Sequence, residues 1–386
     1  MKARFDRVSW VEPEIRFHAV LDDLDRDLWI KLPAGVGKPD DDLLAGVFAS
    51  LAGPDLEEIS MELDVSPPIR QAIEDFCGCT LSSGSRENVK DWLSGFDGHA
   101  VSFSGGFDSL AALALLPQGP ELVSMDFGGW FQRETEFFTE FAPHVVSSNF
   151  RMEGFGRRSW IFMLAGIILL KEHYRFGKYT TGSILESSPW HYSRNIEATF
   201  KAAPLLRAFG FEQINTTIGI TEVVTTLVTM RHFPDRVQKS LKSLAAPGSG
   251  KSQRKHMLVS SLYQEGRASL DYVPEVAVTS KPPLTWGESL TDDMLTPYML
   301  KHSGVQATQA LMAGIPDEIF EAAERLELNF YERYHTGLYM GLDPKFSKHL
   351  HNTLIDLGVE PFAERDWTEY REISELIGNY HSVKID

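Results

Sequence analysis

Apolar and polar stretches alternate along the middle of the chain in the way that is typical of alternating strands and helices. Short apolar runs bounded by glycines or polar residues predict strands at 100–103, 121–126, 144–148 and 178–182. Longer runs between them predict helices, among them 133–141 and a buried helix at 159–171. This alternation indicates an α/β fold with a Rossmann-like parallel sheet that is covered by helices on both faces.

The parts of the chain on either side of this stretch have other patterns. Short apolar runs predict strands at 17–21, 28–32 and 58–64 and helices at 40–51 and 69–76, followed by a Ser-Gly linker at 82–85. After a proline-rich segment at 281–287, helical patterns recur at 293–302, 307–313 and 317–326. We therefore predict a small α+β N-terminal module (1–95), a central α/β domain (96–270) and a helical C-terminal region (271–386).

Charge and composition exclude several classes of protein. The 386-residue chain has a net charge of −17, which argues against a general nucleic-acid binder held by phosphate contacts. The first residues lack the apolar core of a signal peptide, and the apolar run 160–170 is too short to span a bilayer. We therefore expect a soluble, cytoplasmic protein with no membrane partner. Cys77 and Cys79 are too few for a four-ligand zinc site, and we expect them to be small buried side chains.

The stretch 99–116 (HAVSFSGGFDSLAALALL) predicts a strand, a tight glycine turn and a helix. The turn is 104–109 (SGGFDS), where two adjacent glycines allow a sharp bend and leave backbone N–H groups uncovered. The positive end of the following helix points to the same place, and Ser104 and Ser109 add hydroxyl donors. These features predict a phosphate site. The alternative is that the turn only joins a strand to a helix, with Asp108 as an ordinary first-turn carboxylate.

The predicted sheet brings three segments together. In open sheets of this kind, ligands bind at the carboxyl ends of the strands. The segments that follow the first, second and fourth predicted strands are 104–109, 126–129 and 182–186. We expect them to line one crevice.

The string Ser-Gly-Gly-x-Asp-Ser between a strand and a helix resembles the PP-loop of ATP pyrophosphatases, which split ATP into AMP and pyrophosphate while they adenylate a substrate. The order of later segments resembles the 7-cyano-7-deazaguanine synthase (QueC-like) family. The similar segments are 126–134 (DFGGWFQRE), 156–160 (GRRSW), 182–186 (GSILE), 191–197 (HYSRNIE) and 219–224 (GITEVV). The resemblance covers about residues 98–266.

The resemblance implies an adenine nucleotide alpha hydrolase (PP-loop) fold and an ATP-dependent carbon–nitrogen ligase. Such an enzyme adenylates a carboxylate, such as a 7-deazaguanine carboxylate, releases pyrophosphate and transfers the acid to ammonia or another amine. The implied catalytic groups are Ser104, Asp108 and Arg158. ATP and Mg²⁺ would be held by Ser102, Phe103, Ser104, Gly105, Gly106, Asp108, Ser109, Asp126, Phe127, Gly128, Gly182 and Lys251, with Mg²⁺ on Asp108. The acid substrate would contact Arg133, Arg157, Glu186 and Arg194.

The chain departs from this family in one segment. The family carries a cluster of four cysteines that binds zinc, whereas the corresponding stretch here, 245–256 (AAPGSGKSQRKH), contains no cysteine. We therefore expect no zinc site. In its extra terminal regions and its missing cysteines, the chain resembles QueC-like proteins of bacterial antiviral operons more than it resembles the biosynthetic enzyme. That likeness implies a protein as the amine acceptor. Separately, we expect a protein partner bound through the N- or C-terminal region, and a homodimer.

Two alternatives remain open. Residues 245–252 fit a relaxed P-loop pattern that ends in Gly-Lys-Ser, although the preceding 235–244 is amphipathic and basic where a P-loop needs an apolar strand. We prefer to interpret 231–256 as a basic flap over phosphates or an anionic substrate, with a solvated surface strip as the plain alternative.

For the whole chain, the second function class is a nucleotide-binding scaffold or sensor of a defence complex that binds ATP without turnover.

Overall fold

The computed structural model describes residues 1–117, 119–188, 191, 201–243, 248–274 and 282–381, with the backbone only at Trp130. The strands are Lys2–Val11 (β1), Glu14–Leu21 (β2), Leu24–Lys31 (β3), Glu58–Val65 (β4), Leu81–Ser85 (β5), Gly98–Ser102 (β6), Glu121–Asp126 (β7), His144–Ser148 (β8), Phe176–Thr180 (β9), Glu212–Gln213 (β10), Leu284–Thr285 (β11) and Met312–Ala313 (β12). The first group of helices is Asp41–Ala52 (α1), Pro67–Cys77 (α2), Phe107–Ala114 (α3), Gln132–Phe138 (α4), Ala165–Tyr174 (α5), Pro204–Ala208 (α6) and Glu222–His232 (α7). The second group is Val237–Ser243 (α8), Gly250–Gln264 (α9), Leu290–His302 (α10), Val305–Leu311 (α11), Asp317–Arg325 (α12), Pro344–Asp356 (α13) and Glu364–Gly378 (α14).

A large sheet dominates the first of two compact units, which comprises 1–104, 119–180 and 201–213. Across the described residues its ten strands follow the order β10-β9-β6-β7-β8-β3-β2-β1-β4-β5. The pairings from β10 to β8 are parallel, those from β8 to β1 are antiparallel, and β1-β4-β5 is parallel again. The predicted α/β class is therefore confirmed, and the sheet, which we predicted to be parallel, is mostly parallel.

The strands of the predicted N-terminal module belong to this same sheet. Strand β3 pairs with β8 through Ile30–Ser148 and Lys31–Ser147. The predicted linker at 82–85 was wrong, because these residues lie in β5, where Leu81 is buried and pairs with Ile59. A strand at the edge of a sheet needs few apolar side chains, so its Ser-Gly composition resembles that of a loop.

One hydrophobic core fills the first unit, with α1 at its centre. The Phe48 ring stacks on Phe5, with 4.8 Å between the ring centroids, and lies 4.4 Å from that of Phe17. Below this core, the fully buried Asp42 carboxylate accepts hydrogen bonds from the Ser66 hydroxyl (2.7 Å) and from the Trp92 indole N–H (2.9 Å). Every such donor reduces the cost of burying a charge.

Helices form the second unit, which comprises 105–118, 181–200 and 214–386. Its core joins α3, α7, α9 and α10 with the later helices, and among the described residues its short sheet is the parallel pair β11–β12. The helical C-terminal region thus shares one core with the helix that follows the glycine turn. The predicted domain boundaries at residues 95 and 270 stay predictions. Each compact unit is a set of residues in mutual contact and includes several separate stretches of the chain, so it does not correspond to one predicted domain.

Within the described ranges, no helix combines the length and the apolar character that crossing a membrane requires. Cys77 and Cys79 are free thiols, the first buried and the second partly buried, and burial raises the pKa of Cys77 to about 12.

Candidate functional site

The glycine turn joins β6 to α3, as the sequence predicts. Gly105 has a φ of +75°, a conformation that favours glycine, and Gly106 is the N-cap of α3. The Ser240 hydroxyl donates to the Gly105 carbonyl oxygen at 2.8 Å and holds the turn from within the second unit. The Ser109 hydroxyl donates to the Gly106 carbonyl oxygen (2.9 Å), so it supports the turn.

In the first unit, β6 lies between β7 and β9 at the point where the strand order reverses. Parallel sheets bind ligands at such a switch point. Ser102 ends β6, and Phe103 is buried, with its carbonyl oxygen accepting from the Ser124 hydroxyl (2.6 Å). Ser104 is exposed at the end of this strand.

The turn after β7 has a separate local structure. The Asp126 Oδ1 atom accepts from the Gly128 N–H at 2.9 Å, and Gly128 has a φ of +67°. Phe127 is buried against Phe131 and Phe162. We predicted Phe127 among the residues that hold ATP, but its ring belongs to the core of the first unit. The polar groups of this turn are those of Asp126 and Gly128.

The predicted arginines differ in their surroundings. Arg133 and Arg157 are exposed. Arg158 is partly buried, and its guanidinium donates to the Pro54 carbonyl oxygen at 2.6 Å. Arg158 therefore ties the segment after α1 to the core of the first unit. Arg194 lies outside the described residues.

In the second unit, Asp108 belongs to a network of buried charges. Its Oδ1 atom accepts from the Thr225 hydroxyl at 2.7 Å and from the Lys255 ammonium at 3.1 Å. The Lys255 side chain is 1% exposed, whereas that of Asp108 is 30% exposed. The Lys255 Nζ atom also lies 2.9 Å from the Glu222 Oε1 atom, so one ammonium group bridges two carboxylates.

Arg254 extends this network toward α10. Its guanidinium lies 2.7 Å from the Glu222 Oε2 atom and also pairs with Asp292. Both Arg254 and Glu222 are almost completely buried. Burial by itself would raise the pKa of Glu222, but Arg254 and Lys255 outweigh it and lower that pKa to about 2. Burial would likewise lower the pKa of Lys255, but Asp108 and Glu222 raise it above its ordinary value.

Glu186 and Gly182 approach the same helix ends. The Glu186 Oε1 atom accepts from the Glu222 N–H at the start of α7 (2.6 Å), while Oε2 has no hydrogen-bond partner among the described residues. Burial, together with the charge of Glu222, raises the pKa of Glu186 to about 8. A Cβ added to Gly182 would lie 2.8 Å from the Asp108 carbonyl carbon, so the 182–186 segment packs directly on the first turn of α3. The structure thus brings together Asp108, Ser109, Gly182 and Glu186.

In place of a flap, the described residues of the basic stretch 231–256 lie mostly in α7, α8 and α9. They include the buried helical residues Arg254 and Lys255, whose charges face carboxylates instead of solvent. Lys251 is exposed in the first turn of α9. Helix α8 precedes this segment where a P-loop requires a strand, and residues 244–247 lie outside the described residues. The P-loop interpretation therefore does not fit.

The sequence analysis missed Lys255, Glu222, Arg254 and Thr225 as site residues. A signal for Lys255 exists in the sequence. Leu258, Val259 and Leu262 follow it at helical spacings and are buried, so Lys255 falls on the buried face of α9. A lysine on such a face requires a buried acidic partner.

Asp108 offers one carboxylate to Mg²⁺, which prefers such oxygens and keeps several waters, although the Lys255 ammonium already pairs with its Oδ1 atom. The carboxylate is partly open to solvent and stands in the first turn of an eight-residue helix. Elsewhere in the described residues, ligand atoms of Glu265, His302 and Glu332 lie within 4.8 Å of one another. Arg267 pairs with Glu332 at 2.5 Å, and its positive charge opposes a metal there.

A polar cavity of about 270 Å³ lies in the second unit, away from the predicted site residues. Its lining residues are Arg267, Asn329, Glu332, Arg333, Gly358 and Glu360. Arg267 pairs with Glu332, and Arg333 pairs with Asp366 at 2.6 Å. The charges at this cavity are therefore already compensated by neighbouring side chains.

Comparisons of the chain with protein-family models, with curated proteins and with solved structures find no match.

Proposed function

We propose that the chain is a PP-loop enzyme of the adenine nucleotide alpha hydrolase type that uses ATP to adenylate a carboxylate. Pyrophosphate leaves, and the activated acid passes to ammonia or another amine, which is the reaction of an ATP-dependent carbon–nitrogen ligase. The observation that carries this proposal is the placement of Asp108. It stands in the first turn of α3, directly after a glycine turn at a strand end, with a buried cation against its carboxylate.

Each part of the turn has a role in this reaction. Backbone N–H groups at the start of α3 receive the phosphates, because the helix end carries partial positive charge. The Asp108 carboxylate would hold Mg²⁺, and the bound ion would neutralise negative charge on the pyrophosphate. Lys255 adds a positive charge in surroundings of low dielectric constant, where its effect is larger than in water.

The remaining roles in this proposal rest on the resemblance of the motifs alone. It assigns the Asp126–Gly128 turn to the adenosine and the exposed Arg133 and Arg157 to an anionic acid. The acid class, a 7-deazaguanine carboxylate, and a setting in antiviral defence with a protein acceptor are proposals that rest on the resemblance of the motifs. Arg158, which is held by the Pro54 carbonyl oxygen, has no role at the phosphate in this proposal.

One observation favours a second function, a nucleotide-binding scaffold or sensor without turnover. The Asp108 carboxylate already has two donors, Thr225 and Lys255, so the turn is charge-compensated before any ligand arrives. An enzyme must exchange these contacts during each reaction cycle, whereas a sensor needs to exchange them only once.

The test is the release of pyrophosphate and AMP from ATP with Mg²⁺, a panel of aromatic carboxylates and ammonia. We expect turnover with at least one acid, and a loss of about 100-fold or more in Asp108→Asn because the metal ligand is gone. Asp235→Asn removes an exposed carboxylate of the second unit and is the matched control. ADP and phosphate as products, lost in Lys251→Ala, would reject the proposal in favour of a P-loop enzyme. Tight ATP binding without turnover would instead support the sensor.

A further inference from the structure

The two charged partners at the glycine turn differ sharply in their access to solvent. Asp108 is 30% exposed, whereas Lys255, 3.1 Å from it, is 1% exposed. A dissolved ion can therefore reach the carboxylate, but the ammonium cannot leave the protein interior to reach water. Any exchange of partners at this position happens on the solvent side of Asp108.

A second carboxylate anchors the ammonium. The Glu222 Oε1 atom lies 2.9 Å from Lys255 Nζ, and the Phe107 ring centroid lies 5.2 Å from the same atom. Arg254 holds the other oxygen of Glu222 at 2.7 Å. Lys255 therefore keeps one full carboxylate partner even if Asp108 turns to another cation.

Lys255 and a divalent cation compete for the same charge on Asp108. Two like charges a few ångströms apart repel each other at the dielectric constants of a protein surface. A metal ion alone meets this repulsion at Asp108. A metal ion that arrives with a polyphosphate brings negative charge, which offers Lys255 a replacement partner.

We infer that Lys255 is a built-in counter-ion of Asp108, which occupies the carboxylate in the nucleotide-free protein and yields it only to a divalent cation that is accompanied by phosphate. This inference rests on the proposed function, because it takes Mg²⁺ and ATP as the ligands of the Asp108 turn. Lys255 is in this sense a positioning residue, and it makes metal binding at the turn dependent on the nucleotide.

The test measures the binding of Mn²⁺ alone to the nucleotide-free full chain by electron paramagnetic resonance. We expect weak binding to the wild type and binding at least about ten-fold tighter in Lys255→Met, because the competing ammonium is gone. The gain must disappear in Asp108→Asn/Lys255→Met. Lys255→Arg keeps the positive charge, so we expect its affinity for Mn²⁺ to stay close to that of the wild type. Lys242→Met, which removes an exposed lysine of the same unit, is the matched control.

Removing a single partner from a buried ion pair can unfold the protein, so Glu222→Gln/Lys255→Met removes both charges of the pair together. We expect this double variant also to bind Mn²⁺ more tightly than the wild type. A purely structural role of Lys255 predicts equal or weaker Mn²⁺ binding in every Lys255 variant, and that result would overturn the inference.

The metal measurement and the pyrophosphate assay can fail separately. A wild type that turns over ATP, with Mn²⁺ binding unchanged in Lys255→Met, leaves the proposed function standing and rejects the counter-ion. A wild type that neither binds nor hydrolyses ATP rejects the proposed function. In that case a gain in Mn²⁺ affinity in Lys255→Met still identifies Lys255 as the counter-ion of Asp108. The absence of a gain rejects both the proposed function and the counter-ion inference.

Discussion

Lys171, in the core of the first unit, offers a quantitative test of how burial perturbs a charge. Its side chain is completely buried, and Nζ donates to the Phe176 carbonyl oxygen at 2.6 Å. The ring centroids of Phe96 and Phe211 lie 3.9 and 4.4 Å from Nζ. Burial away from water lowers the pKa of Lys171 to about 7. Lys171→Met removes the titrating group and keeps an apolar chain of similar length.

The expected size follows from the difference in pKa between the unfolded and folded states. The pKa falls from 10.5 to about 7, a difference of about 3.5 pH units, and about 1.4 kcal/mol per unit gives about 5 kcal/mol. The aromatic faces and the carbonyl oxygen favour the ammonium, so we expect about 3–5 kcal/mol. Between pH 7 and 10.5 the unfolded chain binds a proton that the folded chain does not. The free energy of unfolding therefore rises with pH in this window. As the pH falls from about 10.5, this contribution is lost progressively, and it is gone once the pH has fallen through about 7.

The assay is urea denaturation of the wild type and of Lys171→Met at several pH values from 6.5 to about 10. Other titrating groups are common to both proteins and cancel in the difference. We expect the stability of the wild type relative to the variant to increase by about 3–5 kcal/mol across the window. A difference that stays constant with pH would refute the reasoning, because Lys171 would then titrate alike in the folded and unfolded chains.

Two further substitutions test individual contacts. Gly182→Ala places a Cβ 2.8 Å from the Asp108 carbonyl carbon, and we expect it to lower the free energy of unfolding by about 1–3 kcal/mol and to weaken ATP binding in calorimetry. Gly37→Ala, where the added Cβ meets nothing within 4 Å, is its control, and equal effects would argue against a close approach at Gly182. Asp42→Asn removes a fully buried charge that pairs with Arg86 at 2.6 Å and should cost about 3–5 kcal/mol in urea denaturation. The neighbouring, less buried Asp41→Asn should cost much less, and similar losses in the two variants would contradict the proposed importance of this network.

The strands from β6 to β9 were predictable because each contains buried apolar side chains and is followed by polar residues or glycines. Strand β1 escaped detection because polar and charged residues separate its few buried side chains, Ala3 and Phe5. Strand β5 lies at the edge of the sheet, and β10 has only two residues. Such strands depend on pairing with a neighbour more than on their own apolar content.

The candidate site also has a part that could be predicted from the sequence and a part that could not. The turn at 104–109 could be predicted because its glycines, its helix start and Asp108 are consecutive in the chain. Lys255 and Glu222 could not be assigned, since their pairing depends on how α7 and α9 pack within the second unit. The helical spacing of Leu258, Val259 and Leu262 indicates that Lys255 is buried, but the sequence does not indicate which carboxylates it contacts.

The antiparallel pairing of β3 with β8 has a consequence for synthesis of the chain. Strand β3 leaves the ribosome long before β8, so its open edge must wait for a partner that is encoded far downstream. An open edge invites pairing with other chains. The residues that β8 does not cover include Asp25, Arg26 and Asp27, and their exposed charges disfavour such pairing. This strand thus carries its own protection against aggregation during the interval before its partner is made.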